Sequence, residues 1–116
     1  MTRHQRDQAD RFGVEMIDMR AWSSGVRPEI SPKETVYLSV DIDGIDPAFA
    51  PGVSHPEPGG LTVREVLSLI QGLPPGLVGA DVVECNPEVD PTGVTAYLAA
   101  KLVKEIAATM MIGAAG

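Results

Sequence analysis

Two aspartates at the end of an apolar segment are the residues of this chain that are best placed to do chemistry. Asp41 and Asp43 close "YLSVDID", a segment that otherwise has the composition of a buried strand. Carboxylates two residues apart on a strand leave the same face, and they repel each other unless a positive partner lies between them. A divalent cation would be that partner, and oxygen ligands suit magnesium, manganese or calcium. The spacing therefore predicts a hard-cation site at this strand end.

A third acid, Glu84, ends the next predicted strand in the same way. Open α/β sheets bind their ligands beyond the carboxyl ends of their strands, so Glu84 could converge with the two aspartates above one edge of the sheet. A single acid at a strand end is also common in ordinary loops. A structural role for Glu84 therefore stays open.

Turn formation is the alternative role for the aspartates. Asp46 precedes Pro47 and can bond its own backbone, so we predict that it is a turn residue. The same role suits Asp41 poorly, because Val40 and Ile42 continue the apolar segment on either side of it. Burying its charge in such a segment is costly without a compensating partner.

The two histidines and the one cysteine are weaker candidates. His55 lies in a loop over the strand ends, where functional residues often occur, although a loop histidine is commonly just solvent-exposed. His4 lies in the polar first segment and carries no functional prediction. Cys85 follows Glu84, but no histidine lies near it in sequence to generate a thiolate, which disfavours a catalytic nucleophile.

The elements that must position these residues alternate between strands and helices. Apolar segments predict strands over 36–42, covered on both faces, and over 77–83. Thr62 with Glu65 predicts a capping box at the start of a helix that Gly72 ends. The other predicted features are a helix over 1–11 that ends near Gly13, a short strand over 14–19, proline-containing loops over 22–33, 46–60 and 86–91, a helix over 94–110 and a frayed tail over 113–116. This order is typical of an α/β protein with a parallel sheet.

Composition limits the partners. The chain has 116 residues, enough for one domain, and a net charge of −7 without a basic stripe. Nucleic acid and anionic membrane surfaces are therefore poor partners, whereas small cationic ligands or metal ions are favoured. No apolar segment approaches the roughly 20 residues that span a bilayer, and the first residues do not resemble a signal peptide. A single cysteine suits a reducing compartment, so we predict a cytoplasmic or mitochondrial protein that is not secreted.

Two longer segments carry a family resemblance. "SVDIDGIDPAFAPGVSHPEPGGLT" and "GADVVECNPEVDPTGVTAYLAAKLVKEIA" resemble the carboxyl-terminal part of a ureohydrolase. This is the arginase and agmatinase family, whose enzymes cut guanidinium groups to release urea. The resemblance extends from about "RFGVEMIDMR" to Met110, and "PGVSHPEPGGLT" and "AAKLVKEIA" are similar to plant-type arginase in particular. Arginase is therefore the preferred activity, and agmatinase is the alternative.

The resemblance implies a three-layer α/β/α fold with a parallel sheet, and a binuclear manganese (Mn²⁺) centre above that sheet. By motif match, Asp41 would bridge both metals, Asp43 would bind one of them, and Glu84 would pair with the substrate guanidinium. A metal-activated water would attack the guanidinium carbon. His55 lies where animal arginases carry threonine, beside the substrate, and is assigned to substrate binding. No residue of this chain is assigned as catalytic.

Other residues that the family requires are missing from these 116 residues. The remaining metal ligands come from "GGDH" and "DAHxD" motifs, and neither motif occurs here; the usual proton-shuttle histidine also precedes the matching region. We therefore expect the carboxyl-terminal part of one ureohydrolase domain: a fragment, a truncated gene product or a degenerate relative. Such a chain should be inactive alone and should bind manganese poorly. The intact parent is expected to be a trimer or hexamer.

Two readings from other classes remain. "DIDG" resembles the Asp-x-Asp-Gly loop of haloacid dehalogenase-type phosphohydrolases, but Ile45 follows where that family usually has threonine, and short motifs match by chance. Alternatively, the chain could be a non-catalytic module kept for oligomerisation with a full-length partner.

Overall fold

A computed structural model describes residues 1–115 of the chain, and these residues form one two-stranded sheet and four α-helices. In chain order the elements are α1 (Arg3–Phe12), α2 (Met19–Ser23), β1 (Val36–Asp41), α3 (Val63–Gln71), β2 (Leu77–Val83) and α4 (Val94–Ala115). Short 3₁₀ helices lie at Ile42–Gly44, directly after β1, and at Pro87–Val89, a few residues beyond β2.

The sheet is parallel, as predicted. Its register pairs Leu38 with Ala80 and Asp41 with Val83, so both strands end at the same edge. The predicted strand over 77–83 is confirmed with its bounds. The predicted strand over 36–42 ends one residue early, because Ile42 begins the first 3₁₀ helix.

The core lies on one face of the sheet, under α3 and α4. Its apolar side chains come from both strands, both helices and the loop between β1 and α3, with Ile42 and Leu102 fully buried. Thr62 and Glu65 form the predicted capping box of α3, and the helix ends at Gly72 as predicted. Leu98 and Ile106 provide the buried stripe of α4.

The opposite face of the sheet is open to solvent among the described residues, so the prediction that β1 is covered on both sides is not met there. Tyr37 is 63% exposed, and Ser39 is exposed next to it on the same face. The Asp81 carboxylate accepts hydrogen bonds from both hydroxyl groups, at 2.9 Å and 2.6 Å. These bonds, first that of Ser39, lower the pKa of Asp81.

The first third of the chain differs most from prediction. The predicted first helix is confirmed as α1, which Gly13 ends in the left-handed conformation at φ 66°. The predicted strand over 14–19 is wrong: residues 14–18 form no regular element, and Met19 begins α2. A local helix start explains the difference, because the Asp18 carboxylate accepts a hydrogen bond from Ala21 N at 2.9 Å.

Trp22 fixes this first third to α3. Its buried indole donates a hydrogen bond to Oε2 of Glu65, whose other oxygen accepts from Thr62 N at 3.0 Å. The guanidinium of Arg27 lies 3.5 Å from the centroid of a Trp22 ring, which adds a cation–π contact. The bonds from Thr62 and then from Trp22 lower the pKa of Glu65. One glutamate therefore closes a helix cap and anchors a distant segment.

The predicted frayed tail is helical as far as it is described. Helix α4 continues to Ala115, beyond the predicted end at Met110, and Gly116 lies outside the described residues. A Cβ atom at Gly113 would approach the carbonyl oxygen of Pro75 to 2.6 Å, so this glycine allows α4 to pack closely on the segment before β2. No helix within residues 1–115 is long and apolar enough to cross a membrane.

The long loop after β1 is closed by Asp46, which is the turn residue that the sequence predicts. Its two carboxylate oxygens accept hydrogen bonds from Ala48 N at 2.9 Å and from Gly59 N at 2.8 Å. Those backbone bonds lower the pKa of Asp46. Ile45 and Leu61 add an isolated parallel bridge. The loop therefore begins and ends at one place, beside the end of β1.

The loop after β2 is held by Asp90, a buried carboxylate whose role the sequence analysis missed. Its Oδ1 accepts from the Thr92 hydroxyl at 2.6 Å and from Thr92 N at 3.1 Å, and its Oδ2 accepts from Thr95 N at 2.9 Å. These bonds, first that of the Thr92 hydroxyl, lower the pKa of Asp90 to about 2. The Thr92 hydroxyl also accepts from Val94 N at 3.2 Å, next to the start of α4.

Asp90 should make the stability of the fold dependent on pH in the acid range. Its pKa of about 2 lies below the ordinary 3.8, so its contribution is complete above about pH 4 and is lost as the pH falls through 2. We expect Asp90→Asn to unfold at a lower urea concentration than the wild type at pH 7, and the two midpoints to converge near pH 2. Asp10→Asn, on the exposed side of α1, is the control. An Asp90→Asn deficit of constant size from pH 7 to pH 2 would contradict this account.

Gly52 should tolerate no side chain. It is buried, and an added Cβ would lie 2.7 Å from Thr95 Cβ and 2.9 Å from Asp90 Cβ. We expect Gly52→Ala to lower the free energy of unfolding by about 1–3 kcal/mol, the usual cost of overpacking. Gly44→Ala is the matched control, because a Cβ there meets nothing within 4 Å. Equal urea midpoints for the two variants would show that the contact relaxes freely.

Candidate functional site

The sheet places the three predicted acids at one edge. Asp41 is the last residue of β1, Asp43 follows it in the first 3₁₀ helix, and Glu84 follows the last residue of β2. Since Asp41 pairs with Val83 in the parallel register, Glu84 is one residue beyond the partner of Asp41. All three therefore lie at the carboxyl end of the sheet, where α/β proteins bind ligands.

The local geometry of the two aspartates differs from the prediction. Asp43 does not lie on the strand, so the two side chains do not share a strand face by alternation. Instead, Oδ1 of Asp41 accepts a hydrogen bond from Asp43 N at 2.9 Å and caps the 3₁₀ helix. The physical reason is that a short acid at a helix start satisfies a free backbone N–H, which here turns the chain immediately after β1.

Asp43 contains the main unsatisfied group of the site. Its side chain is 21% exposed, and its Oδ1 is buried without a hydrogen-bond partner within residues 1–115. A buried charged oxygen that lacks a partner is destabilising, and such atoms in folded proteins usually have a ligand or water to satisfy them. This oxygen is the strongest sign of a missing positive group.

His55 lies beside Asp43, as expected for a loop that folds over the strand ends. Its Nδ1 is 3.8 Å from Oδ2 of Asp43, and its side chain is 84% exposed. The imidazole therefore lines the open side of the site rather than its floor. His4, which carries no functional prediction, lies on the exposed surface of α1.

Glu84 adopts a conformation that a non-glycine residue rarely takes. Its φ is 70°, in the left-handed region, and its side chain is exposed. Such backbone strain costs of the order of 1–3 kcal/mol and occurs preferentially at functional sites. Cys85, the next residue, is half-buried and packs against the core.

The acids could supply some, but not all, of the ligands of a hard-cation site. Asp41 and Asp43 supply carboxylate oxygens of the kind that manganese prefers, and the orphan oxygen of Asp43 needs a positive partner. However, no three histidine, cysteine or acidic side chains within residues 1–115 are grouped closely enough to hold a metal ion. Further ligands are needed to fix a metal in a defined geometry.

The chain resembles proteins of known family in sequence and structure. The model of the arginase family matches residues 1–109. "Arginase 1, mitochondrial" of Arabidopsis thaliana is 52% identical over 110 residues, which cover 89% of this chain and 32% of that protein.

Solved structures of arginases and of an agmatine ureohydrolase also match. Arginase from Medicago truncatula has a TM-score of 0.82 and 43% identity, over 95% of this chain and 36% of that one. The agmatine ureohydrolase of Thermoplasma volcanium has a TM-score of 0.61 and 49% identity, over 65% of this chain and 25% of that one.

These likenesses confirm the predicted arginase-like α/β fold. The chain spans about one third of the length of the arginases that it matches, with shares of 32% and 36%. A family match that covers residues 1–109, together with an arginase structure superposed over 95% of the chain, shows that this chain belongs to the arginase family.

Proposed function

We propose that these residues form the carboxyl-terminal part of a single ureohydrolase domain and that the complete protein hydrolyses L-arginine to ornithine and urea. The observation that carries the proposal is the buried Oδ1 of Asp43, which has no hydrogen-bond partner within residues 1–115, at the carboxyl end of the sheet of an arginase-family chain. An acidic edge that lacks a positive partner suits a cationic metal centre and a cationic guanidino substrate.

Arginase is favoured over agmatinase because of how much of the chain each relative matches. The two arginases align over 89% and 95% of the chain, whereas the agmatine ureohydrolase aligns over 65%. Agmatine remains the second candidate substrate, since that shorter alignment has an identity of 49%. Arginine carries an α-carboxylate, and agmatine does not. Asp41, Asp43 and Glu84 are proposed to bind metal ions or the guanidinium, which both substrates share, so these three acids do not distinguish the two substrates.

Each acid has a distinct proposed role. Asp41 and Asp43 would hold the manganese ions, and the burial of the Asp43 Oδ1, which has no hydrogen-bond partner within residues 1–115, supports this role. When bound, the metal pair supplies Lewis-acid chemistry by lowering the pKa of a coordinated water.

The remaining roles concern the substrate. Glu84 would accept charge-assisted hydrogen bonds from the guanidinium and fix its plane, a task for which an exposed strand-end carboxylate is suited. The left-handed φ of Glu84 supports this role, because strained backbone conformations occur preferentially at functional sites. His55 would line the substrate entrance beside Asp43, where its imidazole is already placed.

The 116 residues alone should not be enough for activity. They contain two metal-binding carboxylates and lack the "GGDH" and "DAHxD" motifs that complete the family's site. We propose that the complete protein is a trimer or hexamer in the mitochondrion or cytoplasm; the Arabidopsis relative is a mitochondrial arginase by name. Membership of the arginase family excludes the haloacid dehalogenase reading. A non-catalytic oligomerisation module would instead form mixed oligomers with an intact ureohydrolase on co-expression and add no activity.

Manganese binding to this chain should be weak and should depend on the two aspartates. We expect the electron paramagnetic resonance signal of free Mn²⁺ to fall on adding the chain, and Asp41→Asn and Asp43→Asn each to weaken binding at least about tenfold. Asp10→Asn, which removes an exposed charge on α1, controls for the general acidic field. Equal weakening by all three substitutions would mean that no defined site exists. Urea release from arginine by the chain alone would refute its proposed incompleteness.

The roles of the acids can be tested in a protein with all of the family's ligands. We propose to exchange the matching segment of the Arabidopsis arginase for residues of this chain, which are 52% identical over 110 residues. The exchanged enzyme should release urea, and Glu84→Gln should lower kcat/KM by roughly 10- to 100-fold through loss of a charged hydrogen bond. Glu88→Gln, an exposed acid in the same loop, should have little effect. If Glu84→Gln is fully active, the guanidinium is bound elsewhere.

The strained backbone at Glu84 predicts that two substitutions of this residue differ in stability. Glu84→Gly should give a chain about 1 kcal/mol more stable than Glu84→Ala, because glycine adopts a φ of 70° without steric cost whereas alanine does not. Urea denaturation measures both against the wild type. The same pair of substitutions at Glu88 should show the opposite order, since glycine there only adds chain entropy. An alanine variant as stable as the glycine variant at Glu84 would show that the backbone is relaxed.

A further inference from the structure

We propose that Asn86 is a positioning residue that binds the loop of His55 to the strand end of Glu84. The inference rests on the proposed function, because that function assigns both His55 and Glu84 to the substrate. Asn86 itself touches neither the aspartates nor a reacting atom. Its effect would be exerted through the relative placement of two loops that come from different parts of the chain.

The contacts of Asn86 join those two loops directly. Its backbone N–H donates to the carbonyl oxygen of Gly52 at 2.7 Å, and its side-chain Nδ2 donates to the Ser54 hydroxyl at 3.0 Å. Its Oδ1 accepts from Glu88 N at 3.1 Å, so the same side chain also holds the turn after β2. A carboxamide is suited to this double task, because it has a donor and an acceptor on one short side chain.

The position of these contacts in the sequence gives them their importance. Asn86 is two residues beyond Glu84, and Ser54 immediately precedes His55. The hydrogen bond between the Asn86 and Ser54 side chains therefore connects the strand end that carries Glu84 to the loop that carries His55. The left-handed backbone of Glu84 brings the chain into this turn.

The loop that carries His55 is buried at Gly52 and Val53 and exposed at Ser54 and His55. Gly52 N donates to the buried hydroxyl of Thr95 at 2.7 Å, and Val53 is 3% exposed in the core. Ser54 is exposed, and the side chain of His55 is 84% exposed. Because burial ends at Val53, the bond from Asn86 to Ser54 is what extends the ordered part of the loop towards His55.

Amide relaxation of the 116-residue chain tests this directly. In the wild type we expect the backbone order parameters of Ser54 and His55 to be about 0.85, and in Ser54→Ala and Asn86→Ala we expect His55 to fall below about 0.6. Ser54→Ala removes only the side-chain bond and leaves the turn at Glu88 intact, so it is the decisive variant. Ser68→Ala, at an exposed serine of α3, is the matched control and should change nothing in the loop.

Two further variants separate positioning from a general loss of structure. The double variant should be no more mobile at His55 than either single variant, because both remove the same bond. Asn86→Asp should restore the order of the loop, since the Ser54 hydroxyl can donate to the new carboxylate, and this rescue should vanish when Ser54 is alanine. A rigid His55 in Ser54→Ala, or no rescue by Asn86→Asp, would overturn the proposal.

The outcome does not depend on the proposed function. The relaxation measurement needs neither manganese nor urea release. A loop that loosens as expected, together with an exchanged arginase that releases no urea, would refute the proposed function and keep the proposed role of Asn86. Urea release by the exchanged arginase together with an unchanged loop in Ser54→Ala would do the reverse.

Discussion

The parallel register of β1 and β2 is the constraint on which the rest of the structure depends. Because Asp41 pairs with Val83, both strands end together, and the next residues of each must turn away at the same edge. Asp43 and Glu84 are brought there by this pairing and not by their distance in sequence, which is 41 positions. The helices α3 and α4 stabilise the pairing by burying one face of the sheet, and both loops with proposed functional residues start from its carboxyl end.

The site keeps two unfavourable features that a purely structural edge would lack. Oδ1 of Asp43 is buried without a partner among the described residues, and Glu84 has a left-handed backbone. Elsewhere the acids are well satisfied: Asp46, Asp81 and Asp90 each accept at least two hydrogen bonds, and their pKa values are lowered accordingly. The contrast separates Asp43, whose buried Oδ1 has no hydrogen-bond partner within residues 1–115, from the acids whose hydrogen bonds stabilise the fold.

The hydrogen bonds around the site form two groups: a buried group, which we call the anchor, and an exposed group, which we call the extension. The anchor is buried: Asp90 binds the first turn of α4, and Thr95 binds Gly52. The extension is exposed and consists of the bond from Asn86 to Ser54. At the start of α3, by contrast, the single side chain of Glu65 accepts hydrogen bonds from both Thr62 N and the indole of Trp22. There one polar side chain serves a helix start and a remote segment together.

The sequence by itself determined the elements with strong local signals and the chemical class of the site. Apolar segments, a capping box and proline-rich loops were enough for both strands, α3 and α4, and the aspartate motif was enough for the family, because each signal acts over a few neighbouring residues. The structure also showed that Asp43 lies on a 3₁₀ helix and that residues 14–18 form no strand, because short acids cap local helix starts at Asp41 and Asp18. Only the tertiary structure decided that Asn86 reaches Ser54, 32 positions away in the chain. Sequence spacing carries no record of which distant groups a folded chain brings within hydrogen-bond distance.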